Sequence, residues 1–99
     1  MFVMFTQTYP FKSAAEVGKV AVKVLAKAYS PYIKRLSLYA TLGGDGVKTY
    51  ALYEIEKGHV EEGIKELIKR YVPYYSIEGW KYTSETLLTV EEALATIGL

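Results

Sequence analysis

Apolar and polar positions alternate from Phe2 to Tyr9 and the alternation stops at Pro10. Phe2, Met4, Thr6 and Thr8 fall on one side of an extended chain, and Val3, Phe5, Gln7 and Tyr9 on the other. That period of two predicts a strand over 2–9. The period then changes. Val17, Val20, Ala21, Val24, Leu25 and Ala28 recur at intervals of three and four, which predicts a helix over 13–29. Ser13-Ala14-Ala15-Glu16 has the residues of a capping box at its start, and Ser30-Pro31 closes it. The apolar stripe consists mostly of small residues, so this helix can pack closely on a sheet.

Alternation returns over 32–42 and again over 47–55, with Gly43-Gly44-Asp45-Gly46 between the two runs. Glycines there supply the positive φ angles that a tight hairpin needs. The segment has no GK[ST] ending and no helix behind it, so it reads as a turn and not as a phosphate loop. A second helical period, Val60, Ile64, Leu67, Ile68 and Tyr71, predicts a helix over 60–72, supported by the pairs Glu61–Lys65 and Glu66–Arg70. Pro73 ends it. A last strand is expected over 78–88, with Trp80, Tyr82 and Ser84 on one side. Thr89-Val90-Glu91-Glu92 is a second capping box, and it opens a short helix that Gly98 terminates.

The order β-α-β-β-α-β with a terminal helix is that of the ferredoxin-like fold. A single α+β domain over residues 1–99 is therefore expected: a four-stranded antiparallel sheet with two helices on one face. The covered face should take Leu36, Leu38, Ala40 and Leu42, with Val47, Ala51 and Ile55 across the hairpin. The open face should take Arg35, Tyr39, Tyr50, Leu52 and Glu54, together with Trp80 and Tyr82. A face so rich in aromatic residues is expected to meet a partner or a ligand.

Composition narrows the chemistry. Twelve basic residues against 11 acidic ones leave a net charge of +1, which argues against a nucleic-acid binder. Cysteine is absent, which removes disulfides, thiolate metal sites and cysteine nucleophiles. The single histidine, His59, cannot build a histidine-rich metal site, so no metal is expected. No apolar run approaches the length of a membrane span and no leader pattern stands at the start. A cytoplasmic protein without membrane contact is the expectation. Asparagine is missing and lysine outnumbers arginine, a bias reported for proteins of hyperthermophiles.

The glycine turn followed by Val47-Lys48-Thr49-Tyr50-Ala51-Leu52-Tyr53-Glu54-Ile55, and the ending Leu87-Leu88-Thr89-Val90-Glu91-Glu92-Ala93-Leu94, resemble small prokaryotic members of the dimeric α+β barrel superfamily. The resemblance covers most of the chain. It implies two ferredoxin-like sheets facing each other, hence a homodimer or a higher homo-oligomer. Members of the superfamily include small monooxygenases, muconolactone isomerases, haem-degrading enzymes and the effector domains of Lrp/AsnC-type regulators. Haem-degrading members use an Asn, a Trp and a His. Trp80 and His59 are present here but no Asn is, so no cofactor is expected.

Two functional readings stay open at this point. In the first, the open face encloses a cavity for a small organic molecule, with Arg35, Tyr39, Tyr50, Trp80 and Tyr82 as ligand-binding residues. Glu54, and beyond it His59, would then be catalytic in cofactor-independent chemistry, because a buried carboxylate with a raised pKa can act as a general base. In the second, the same residues hold subunits together in a non-enzymatic ligand-sensing or oligomerisation module resembling the Lrp/AsnC effector domains. A packed aromatic interface and a lined cavity draw on the same residue types.

Overall fold

The computed structural model describes residues 1–99. The elements are β1 (Phe2–Tyr9), α1 (Ala14–Leu25), β2 (Ile33–Gly43), β3 (Gly46–Ile55), α2 (Val60–Tyr71), β4 (Lys81–Leu87) and α3 (Val90–Thr96). The four strands form one sheet in the order β2-β3-β1-β4, antiparallel throughout. This is the expected ferredoxin-like α+β architecture. The two central strands, β1 and β3, carry the most buried strand residues: Val3 and Phe5 on one, Val47, Ala51, Tyr53 and Ile55 on the other.

The core rests on aromatic stacking between the sheet and α2. Phe5 is completely buried and lies parallel to Tyr71, with ring centres 4.9 Å apart. Tyr82 stacks on both, 5.1 Å from Tyr71 and 6.1 Å from Phe5. Trp80 extends the series, 5.1 Å from Tyr74 and 5.4 Å from Tyr82. Each such pair adds roughly 0.5–1.5 kcal/mol beyond its buried area. Leu67 and Ile55 complete the interior. Gly63 lets α2 come down on Ile55: a Cβ there would stand 2.6 Å from the Ile55 side chain.

The stack corrects the expected place of Trp80 and Tyr82. Tyr82 of β4 and Trp80, which precedes that strand, both pack on the helix-covered side. Tyr82 pairs with Gln7, and the indole N–H of Trp80 donates to Gln7 Oε1 at 2.8 Å. Burying two large rings against Phe5 and Tyr71 outweighs leaving them on the open face. The strand also starts later than expected, because Gly79 has φ +78° and turns the chain just before it.

A bulge at Leu36 corrects a second expectation. The register between β2 and β3 shifts between Arg35 and Ser37, so Arg35 pairs with Tyr53 while Ser37 pairs with Leu52. Residues directly opposite share a face. Arg35 therefore lies on the side of Tyr53, whereas Glu54, opposite Lys34, lies on the open side. Leu38, Ala40 and Leu42 do face the helix side, but all three are exposed, Leu42 by 72%. The helices sit over β1 and β3 and leave the outer half of β2 uncovered.

The capping residues divide. Thr89 and Glu92 form the reciprocal box at the start of α3. Ser13 makes no cap; a short 3-10 turn over Phe11–Ser13 precedes α1, and the buried Ser13 hydroxyl instead donates to the carbonyl of Glu78 at 2.7 Å. At its other end α1 stops at Leu25, earlier than the stripe suggested. Arg70 closes that end, with Nη2 donating to the carbonyls of Val24 and Lys27 at 2.8 and 2.9 Å.

Two stability measurements follow from this packing. Phe5→Ala should cost about 3–5 kcal/mol in denaturant unfolding, since it empties the centre of the stack. Gly46→Ala should destabilise clearly more than Gly44→Ala, although both residues have positive φ. A Cβ at Gly46 would stand 2.2 Å from the Tyr9 carbonyl oxygen, whereas one at Gly44 would meet nothing. Equal losses at the two glycines would contradict the hairpin geometry described.

Candidate functional site

The small residues of the α1 stripe face the small residues of the β2–β3 hairpin, and the space between them is not filled. A cavity of about 340 Å³ opens there. Val17, Ala21, Val24 and Leu25 of α1 form one wall; Leu38 and Ala40 of β2 with Thr49, Ala51 and Tyr53 of β3 form the floor. Gln7 and Tyr9 of β1 lie on one side. Tyr29, Arg70, Tyr71 and Tyr74 close the other. Larger side chains on either layer would have closed the gap.

Few polar groups reach into this apolar space, and several are only partly satisfied. The Thr49 hydroxyl is buried and has no hydrogen-bond partner. Gln7 is held by the Trp80 indole at its carbonyl oxygen, which orients the amide and leaves the Nε2 donors unused. The phenols of Tyr29 and Tyr53 meet at 3.2 Å. Arg70 is the one charged residue in the lining. Its guanidinium lies 3.9 Å from the centre of the Tyr29 ring, a cation–π contact, and only Nη2 is engaged with the α1 carbonyls. Three of its five N–H groups therefore have no protein acceptor.

The phenols are poor acids here. Burial raises the pKa of Tyr53 above its ordinary value, and the neighbouring Tyr71 and the contact with Tyr29 push the same way. Burial likewise raises Tyr71 and Tyr74. Behind this wall Glu66 anchors the α1–β2 connection, accepting from the backbone N–H of Ser30 at 3.0 Å and from its hydroxyl. Burial acts to raise the Glu66 pKa, but the Ser30 bonds and the Arg70 charge outweigh it and hold the carboxyl below its usual value.

The residues singled out in the sequence are dispersed. Tyr39 and Tyr50 stand opposite each other on the open face. Glu54 is on that face too and exposed, while Arg35 is on the other side of the sheet. Trp80 and Tyr82 belong to the stack. His59 is the N-cap residue of α2; its ring lies flat on Tyr32 at 4.5 Å, and Nδ1 is 3.7 Å from the Glu62 carboxylate. Of these, only Tyr39 borders the cavity. No three His, Asp or Glu side chains converge anywhere in the chain. Gln7, Tyr29, Thr49 and Arg70 were not anticipated. The pattern did hold one signal: a helix stripe of Val and Ala facing strands that carry Ala40, Thr49 and Ala51.

No family model matches the chain, and no curated protein is significantly similar to it. Among solved structures, it is similar to the solution structure of the C-terminal domain of the MgtC protein from Mycobacterium tuberculosis. The identity is 12%, the TM-score is 0.49, and the match covers 90% of this chain and 92% of that one. No helix is long and apolar enough to cross a membrane.

Alkaline titration tests the buried phenols. Tyr53 and Tyr71 stay protonated in the folded chain at a pH where unfolded tyrosine, near 10.0, has begun to ionise. The folded state then binds more protons than the unfolded one, so stability falls as pH rises past about 10 and is unaffected below it. The phenolate absorbance should show a late class of tyrosines that ionises only as the chain unfolds. Tyr53→Phe should shrink that class and flatten the decline in melting temperature. Ten tyrosines titrating as one free population would contradict the burial described.

Proposed function

We propose that this domain binds a small, mainly apolar organic molecule in the cavity between α1 and the β2–β3 hairpin. The observation that carries the reading is the cavity itself: about 340 Å³, apolar, and furnished with a buried unpartnered hydroxyl, a free amide donor and a fixed guanidinium. Its volume is at the lower end of the range of roughly 300–1,000 Å³ found for small-molecule sites, and a few convergent polar groups in an apolar lining are the usual makeup of such sites.

The charge of the lining supports a ligand with an anionic end. Arg70 is its only ion; the carboxylate that feels its charge, Glu66, lies behind the wall and has its oxygens bonded to Ser30. A carboxylate beside Arg70 would take its spare N–H groups in charge-assisted bonds. An aromatic or aliphatic body would lie against Val17, Ala21 and Ala51.

Binding without chemistry fits this lining better than acid–base catalysis does. General acid–base groups work best with a pKa near the operating pH. The cavity has phenols whose pKa is raised and a guanidinium that does not deprotonate, but no imidazole and no carboxylate. The resemblance to dimeric α+β barrel proteins, which include ligand-sensing effector domains, agrees with a binding role.

Bicyclic aromatic carboxylates and their primary amides, measured by calorimetry and thermal shift, provide the test. The carboxylate should raise the melting temperature and bind at least about tenfold more tightly than its amide. Arg70→Gln should erase that preference and leave the amide's affinity in place. This comparison holds even though losing the α1 cap lowers stability. Ala21→Phe should block both compounds while the chain stays folded. If neither compound binds the wild-type chain, or if Ala21→Phe leaves their binding unchanged, the cavity is not the site.

A further inference from the structure

The cavity has a second polar end, which an anionic group at Arg70 leaves untouched. Thr49 of β3 stands directly opposite Gln7 of β1 on one side and Ala40 of β2 on the other, and all three border the cavity. Ala40 is too small to cover Thr49. Further along the same face of β3, about 13 Å away by the rise of a strand, is Tyr53. Its hydroxyl meets that of Tyr29, and the Arg70 guanidinium lies on the Tyr29 ring. Ala51, between Thr49 and Tyr53, adds no polar side-chain atom to the floor.

The donors at the Thr49 end have a fixed direction. An indole N–H can only donate, so the Gln7 atom that it meets at 2.8 Å is the carbonyl oxygen. The amide cannot flip without breaking that bond. β4 and β3 flank β1 on opposite sides, so an oxygen held toward Trp80, which leads into β4, leaves Nε2 on the β3 side. Nε2 has no protein acceptor, and the buried Thr49 hydroxyl has no partner at all. Although they are neighbours across the strands, the two groups do not bond to each other. A buried polar group without a partner costs about 1–3 kcal/mol, and a bound oxygen that supplies the partner recovers that penalty.

We propose that the ligand carries, besides its carboxylate, a neutral carbonyl oxygen at its far end, which takes one N–H from Gln7 and the O–H of Thr49. This rests on the cavity being the ligand site. A carbonyl oxygen has two lone pairs and no hydrogen, and this end offers it two donors. A second carboxylate there would be a buried charge with no cation opposite it, because Arg70 is the one charged residue of the lining and is tied to the end of α1. An apolar far end would leave Thr49 unpaired and would bury the Nε2 donors as well. The ligand is thus an oxo acid, with two fused rings or a chain of similar length between its polar ends.

Three naphthoates provide the test, each with a second group at the opposite corner of the rings: acetyl, isopropenyl or a second carboxylate. The first two have nearly the same shape, and only the acetyl compound accepts a hydrogen bond there. Calorimetry on the wild-type chain should show the acetyl compound binding at least about tenfold more tightly than the isopropenyl compound, and more tightly than the dicarboxylate. Thr49→Val and Gln7→Leu should each bring the acetyl and isopropenyl affinities together. The preference for the carboxylate over its primary amide, set by Arg70, should persist in both variants. Thr49→Val removes a hydroxyl that bonds to nothing, so its melting temperature should not fall. It keeps the comparison valid even if Gln7→Leu, which also frees the Trp80 indole, is too unstable to measure. Equal wild-type affinities for the acetyl and isopropenyl compounds, or a preference that survives Thr49→Val, would overturn the far-end carbonyl while leaving Arg70 and the cavity as the site. Tightest binding of the dicarboxylate would do the same. Failure of all three to bind the wild type would overturn both the cavity as a site and its far-end carbonyl.

Discussion

The contact between Phe5 and Tyr71 sets the position of most other parts of this domain. One ring belongs to a central strand and the other to the last turn of α2, and their parallel packing fixes how far that helix slides along the sheet. Tyr82 stacks on both rings, so the same contact decides which side of β4 faces inward. Trp80 follows, and its indole N–H then orients Gln7. Arg70, next to Tyr71 on the helix, is brought to the end of α1, where it closes the helix and borders the cavity. One hydrophobic contact thereby sets a strand register, a helix end and the polar wall of a candidate site.

The architecture was legible in the sequence because it depends on period. Alternation of two marked the four strands, intervals of three and four marked the helices, and their order left the ferredoxin-like fold as the matching pattern. The Thr89 box could be read because a capping box closes within four residues. Ser13 carries the same signature, yet its hydroxyl goes to Glu78, far away along the chain. Local sequence cannot show that a distant carbonyl competes for the donor.

The site was less legible, for the same kind of reason. Placing Arg35 beside Glu54 assumed unbroken alternation along β2, and one extra residue at Leu36 puts them on opposite faces. Placing Trp80 and Tyr82 outward rested on the weak alternation of the last strand. Both rings turn inward and fill only the side toward α2, while α1 is built of small residues. The space left beside α1 is the cavity. Its polar groups come from all four of β1, β3, the α1–β2 connection and α2, and no spacing in the chain brings Gln7, Tyr29, Thr49 and Arg70 together.

The two faces of the sheet also solve different problems for so short a chain. Only 15 of 99 residues are buried, a small share even for a small domain, and much of the apolar surface left over is in β2 and α3. Neither element is needed to complete the aromatic core. Both have exposed apolar side chains: Leu36, Leu38 and Leu42 on β2, of which Leu38 also forms part of the cavity floor, and Val90, Leu94 and Ile97 on α3. Apolar exposure on this scale lowers solubility. The open face, by contrast, has an uncharged middle between an end with Glu54 and Glu85 and an end with Lys48 and Lys81. The cavity lies on the helix side of the same sheet and meets the open face only at Tyr39, so the two faces present different chemistry to their surroundings.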